Sequence, residues 1–141
     1  MRKILFVLAA CLSITACELE TSGNGDLDGF WQLKSVDTLA TGKSADMRES
    51  GVYWAFQCDM MSVKKINQIS AFLRFNNTGD SLFLSEPYID NRDSSDIVID
   101  DVEVLRPLGI NELEEHFGIS KLESGAMVLK SKTLRLNFRK Y

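Results

Sequence analysis

The chain has 141 residues, of which 45% are apolar and 26% charged. That is enough for one globular domain, and it excludes a disordered chain or one spanning a membrane throughout. Sixteen basic against twenty acidic residues give a formal charge of -4, or -6 once Arg2 and Lys3 are removed with a leader. With no basic stripe to neutralise phosphates, no nucleic-acid partner is expected.

The first segment has Arg2 and Lys3, then an apolar run from Ile4 to Leu12, then Ser13-Ile-Thr-Ala-Cys17. A positive start, a short apolar run and small residues form the layout of a secretory signal, too short to cross a bilayer. Ile14-Thr-Ala-Cys17 resembles the bacterial lipobox. That resemblance implies a signal peptide over residues 1–16 and lipid attachment at Cys17, with an ordinary cleaved signal as the alternative. More than one acyl chain gives lasting anchorage, at about 0.8 kcal/mol per buried CH₂. Residues 17–26 are polar, glycine-bearing and aperiodic, and read as a lipid-attached flexible tether. Of the three cysteines only Cys58 falls inside the domain, so no internal disulfide can form there.

The domain, residues 27–141, opens with Leu27-Asp-Gly-Phe-Trp-Gln-Leu-Lys-Ser-Val36. Read with period two, Leu27, Gly29, Trp31 and Leu33 share one face while Phe30, Gln32 and Lys34 share the other, as in a half-buried strand. A glycine two residues before tryptophan admits another piece of chain beside the ring. Thr38 to Ser50 reads as a polar loop. Val52, Trp54, Phe56 and Cys58 repeat on one apolar strand face, with Ala55 pointing away from it. Met60 to Ile66 is a weaker strand. Strands at Ser70–Phe75 and Ser81–Leu84 flank Asn76-Asn-Thr-Gly-Asp80, a hairpin signal because Asn and Gly accept positive φ.

Glu86 to Asp96 reads as another polar loop, and Ile97 to Leu105 as a strand broken at Asp100-Asp101. Asn111 to Phe117 carries a capping-box pattern, Asn111 with Glu114, and is expected to be a short helix ended by Gly118. Strands follow at Ile119–Leu122, Ala126–Lys130 and Thr133–Lys140. The last alternates as regularly as the first, and pairing the two removes the edges of a sheet.

Gly29-x-Trp31, Val52-Tyr-Trp-Ala-Phe56, Gly79-Asp-Ser-Leu82, Leu105-x-Pro107-Leu-Gly-Ile110, Met127-Val-Leu-Lys130 and Leu134-x-Leu-x-Phe-Arg-Lys140 form an ordered set. The set resembles the lipocalin-like domains of bacterial lipoproteins, many of which have no assigned role. The resemblance implies an all-β, antiparallel up-and-down β-barrel of about eight strands with one short helix. It also implies a structural latch in which Arg139, or Arg135, lies over the ring of Trp31 beside Gly29. A cation held on an aromatic face is worth about 1–2 kcal/mol.

Trp54, Phe56, Leu73, Phe75, Leu82, Leu84, Met127 and Leu129 either line an interior ligand cavity or fill it, since an eight-stranded barrel is just wide enough for both. His116, the sole histidine, is read as a half-exposed residue of the short helix and not a catalytic base. Cys58 on its apolar face is read as a small buried hydrophobe. Asp90, Asp93, Asp96, Asp100 and Asp101 lack the glycine and closing glutamate of a calcium loop and read as solvated.

The expectation is a monomeric, non-enzymatic lipoprotein of the bacterial cell envelope, periplasm-facing or surface-exposed, without cofactor or metal. Its membrane contact is the lipid anchor. It binds a small apolar or amphipathic ligand in the barrel, or else it is a packed module whose surface meets a protein or polysaccharide.

Overall fold

A computed structural model describes residues 24–89 and 97–141. The proposed signal peptide, Cys17, most of the tether, and Asp90, Asp93 and Asp96 lie outside them. Ten strands are present among the described residues: β1 Gly29–Thr38, β2 Ser44–Asp46, β3 Val52–Gln57, β4 Met60–Lys65, β5 Ile69–Asn77, β6 Ser81–Ile89, β7 Ile97–Val98, β8 Glu115–Leu122, β9 Ala126–Lys130 and β10 Leu134–Lys140. Eight of them run antiparallel in the order β10-β9-β8-β6-β5-β4-β3-β1, and β1 also pairs with β10. The sheet therefore closes into a barrel, and the first-to-last closure expected from the two alternating segments is present. The short strands β2 and β7 pair with β1 and β6 outside that circuit.

Alternation is the main determinant of the inward faces, and bulges correct its phase. In β1, Trp31 and Leu33 are buried; Lys34 is then an extra residue against β10, and Val36 becomes the next inward side chain. In β6 the inward Leu82 and Leu84 give way to Pro87 after a bulge at Glu86, whose φ is 52°. Such bulges supply the curvature that closure requires.

Several local expectations are corrected. Asn111–Phe117 is no helix: residues from Glu115 onward form β8, pairing with β6 on one side and β9 on the other. Without β8 the barrel would carry two open edges, a far larger loss than a seven-residue helix with its costly nucleus could offset. The carboxylate that reaches Asn111 belongs to Glu115. Its two oxygens accept the backbone N–H groups of Asn111 at 3.0 Å and His116 at 3.2 Å, which ties down the loop entering β8. Among the described residues the helical pieces are single 3₁₀ turns at Gly25–Leu27, Val102–Val104 and Arg106–Leu108.

The Ile97–Leu105 stretch is strand only over its first two residues. Asp101 then caps the 3₁₀ turn by accepting the N–H of Glu103 at 3.0 Å. The Thr38–Ser50 loop carries the exposed β2, and part of the Glu86–Asp96 loop belongs to β6.

Cys58 is also misplaced by its period. Val52, Trp54 and Phe56 are buried, but β3 ends at Gln57; Cys58 turns with φ 56° and is exposed. The alternation holds only while the strand lasts.

Candidate functional site

The eight side chains read as a possible cavity lining all lie in one contiguous core, none more than 8% exposed. Trp54 is at its centre, with ring centroids 4.9 Å from Phe138, 5.7 Å from Phe117 and 6.4 Å from Phe56. Phe56 meets Phe75 edge to face at 5.1 Å. Both ends of the barrel are closed as well. At the end where β1 starts, Leu27 is fully buried and its carbonyl accepts the Trp31 indole N–H at 2.9 Å. At the other end the β7–β8 connection folds in, burying Leu105, Leu108 and Ile110, and the Leu108 carbonyl accepts the Trp54 indole N–H at 2.9 Å. Gly109 makes this turn possible with φ 92°; a Cβ there would stand 3.1 Å from Leu136. Both indoles are thus buried with their one donor satisfied, which is how tryptophan is accommodated in a core. Of the two outcomes left open for an eight-stranded barrel, these side chains fill the interior.

The latch exists with a different cation. Lys140 Nζ stands 4.4 Å from the centroid of the Trp31 ring and donates to the carbonyls of Asp26, at 3.0 Å, and Asp28. Gly29, at φ 114°, leaves the space, because a Cβ there would come within 3.0 Å of Lys140 Cε. Arg139 faces the other way and donates to Gln32 Oε1, and Arg135 lies 4.0 Å from Asp37. Successive residues of a strand point to opposite faces, so being one position out chooses the wrong side.

The larger of two described cavities is on the outside. Phe30, Ala55, Ser62, Phe72 and Tyr88 are directly paired across β1, β3, β4, β5 and β6, on the face opposite the buried Trp54, Met61 and Leu73. Ala55 and Ser62 are small, so the two phenylalanines rise as walls over a low floor. The resulting groove has a volume of about 1210 Å³ and is open to solvent. It continues to the barrel end along Met60, Cys58, Asp59, Asp28 and Gly25, and of the eight predicted lining residues only Phe56 also borders it. Phe30 is 49% exposed. Phe72 is braced by stacking on Tyr88 at 5.7 Å.

The two carboxylates in its lining are engaged. Asp28 accepts from Asn24 at 2.8 Å, and Asp59 is 3.5 Å from Arg74, which also pairs with Glu86 at 2.6 Å. Asn24 further donates to the Cys58 carbonyl at 2.7 Å, joining the entry of the chain to the β3–β4 turn. Above the groove Lys64 Nζ lies 5.7 Å from the Phe30 centroid. Alternation marks buried faces, so apart from Phe56 it does not single out the residues of this outward groove. The available signal was Phe30 on the side of β1 otherwise held by Gln32 and Lys34, since a large outward apolar residue beside others marks a contact surface.

The second cavity, about 370 Å³, is lined by Asp80, Glu112, Glu115, His116, Lys130 and Lys132 among others. His116 is on β8, stacked on Phe83 at 4.5 Å with its Nε2 3.2 Å from Ser81 Oγ. No group of three His, Cys, Asp or Glu side chains that could hold a metal ion occurs among the described residues.

Two solved structures share this architecture. A lipocalin-like protein from Bacteroides uniformis ATCC 8492 superposes with a TM-score of 0.65 at 21% identity, over 83% of this chain and 100% of that one. An uncharacterized protein from Bacteroides eggerthii DSM 20697 does so with a TM-score of 0.61 at 18% identity, over 82% and 99%. At these identities the likeness carries the fold alone. Among curated proteins none matches the sequence. The sequence model of the lipocalin-like domain matches residues 10–141, and with the closed barrel this places the chain in the lipocalin-like domain family.

Proposed function

We propose that this chain is a non-enzymatic, lipid-anchored binding module of the bacterial cell envelope that works through its outer surface and carries no cargo inside the barrel. The observation behind this reading is the contrast between a filled interior, closed at both ends, and an open apolar groove on the outside. Binding sites are concave and mostly apolar with a few polar groups, and the groove over Ala55 and Ser62 has that character. The anchor rests on the apolar run ending in Ile14-Thr-Ala-Cys17.

An environment-sensitive apolar dye tests the location. It should bind the protein saturably, and Ala55→Trp, which fills the groove floor, should weaken it about tenfold, a change of about 1.4 kcal/mol. Leu84→Phe, which overpacks the core, should cost about 1–3 kcal/mol of stability and leave dye affinity unchanged. Binding that survives Ala55→Trp and is lost in a folded Leu84→Phe variant would return the ligand to the interior.

A further inference from the structure

We propose that the groove takes the hydrocarbon of a membrane lipid, an acyl chain from the leaflet that holds the Cys17 anchor; this inference rests on the outer-surface reading above. The first argument is where the chain enters. Asn24 donates a hydrogen bond to the Cys58 carbonyl, and Gly25 and Cys58 both line the groove, so the polypeptide joins the domain at one end of the groove. Residues 18–24 separate that point from Cys17, and seven residues can span at most about 25 Å. A domain anchored at Cys17 thus holds this end of the groove close to lipid at all times. The local supply of acyl chains is then set by the tether, and even a weak site is filled.

The lining fits that occupant better than it fits a glycan or a charged peptide. Phenylalanine rings form the walls, Met60 offers an adaptable thioether, and the carboxylates present are already hydrogen-bonded or paired. Gln57 and Ser62 are the uncharged polar side chains in it, too few to satisfy the hydroxyls of a sugar chain. Charge placement supplies the other end of the ligand. Lys64 is the next outward residue of β4 after Ser62, away from the tether, and its ammonium stands over Phe30. An acyl chain running back toward Cys58 leaves its phosphate headgroup beside that ammonium. A lipid lifted from a leaflet leads with its headgroup, and this polarity agrees with a membrane on the tether side.

The test uses the full chain purified from membranes and reconstituted into phosphatidylcholine vesicles doped with a phosphatidylcholine that carries a diazirine on its acyl chain. After irradiation, mass spectrometry should find lipid adducts on peptides containing Ala55–Ser62 and Phe72. Ala55→Arg and Lys64→Glu, both outward substitutions checked for unchanged melting, should each reduce those adducts several-fold. Adducts confined to residues near Cys17, with dye binding still sensitive to Ala55→Trp, would overturn the lipid assignment and leave the outer-surface reading standing. Loss of both the groove adducts and the dye's response would overturn the two together. A chain that carries no lipid on Cys17 would also overturn the inference, because the tether argument would have nothing to act on.

Discussion

At the scale of single residues, the positions that matter most are those where one side chain settles which way a strand faces. Lys140 and Arg139 differ by one position and by everything else. The first puts its ammonium on Trp31, and the second donates to a buried glutamine on the opposite face. Lys140→Met keeps the aliphatic stem and removes the charge, so it should cost about 1–2 kcal/mol in denaturant unfolding. It should also change the emission of Trp31 when measured in a Trp54→Phe background. Arg139→Ala, measured the same way, should leave that emission unaltered. The reverse pattern would restore the latch to Arg139. Gly29 belongs to the same arrangement, since only a residue without Cβ leaves room for the lysine stem.

At the scale of elements, the appended strand β2 is held on β1 by backbone pairing, and a local ion pair orders the chain that follows it. Arg48 donates to both oxygens of Asp46, and through them holds that carboxyl down at about 2 from its ordinary 3.8. The Arg48 carbonyl in turn accepts from Gln32 at 3.1 Å, which ties the loop to β1. Asp37 is also held below the usual range, first by a hydrogen bond from Ser44 on β2 and then by Asn137. A depressed carboxylate stabilises the fold above its unfolded value and loses that effect as pH falls through the folded one. The melting difference between wild type and Asp46→Ala should therefore be fully present well above pH 3.8, shrink as pH falls below that value, and be lost as pH falls through about 2. Both groups are exposed, so added salt should reduce the difference at neutral pH. A difference that persists unchanged below pH 2 would mean that the substitution acts through packing and not through the ion pair.

At the scale of the whole molecule, closure between β1 and β10 joins residues about a hundred positions apart, as in the hydrogen bond from Asn137 to Ser35 at 3.1 Å. The barrel is thereby free of sheet edges in its main circuit. No helix among the described residues is long and apolar enough to cross a membrane. On the proposed reading, attachment depends on the lipid at Cys17. Fractionation should find wild type with membranes and Cys17→Ser in the soluble fractions, and a mutant that resists high-salt washing would count against the lipid anchor.

What could be read from the sequence alone was whatever repeats with the period of its own backbone. Trp31 with Leu33, Val52 with Trp54 and Phe56, and the alternation of Leu134 to Lys140 each report a buried face, because a strand's side chains alternate whatever it pairs with. The hairpin expected at Asn76–Asp80 was legible for a similar reason, as Gly79 carries its φ preference locally; the two asparagines stay in β5, and Asn77 serves by accepting the Gly79 N–H. Three things could not be read this way. Whether Asn111–Phe117 became helix or strand depended on the two open edges that β6 and β9 would otherwise present. Which basic residue reached Trp31 depended on the register of a pairing across about a hundred residues. Whether the eight inward side chains lined a cavity or filled it depended on the β7–β8 connection folding into the barrel end. Local patterns carry the faces, but register, closure and the filling of space are set between segments that no local pattern brings together.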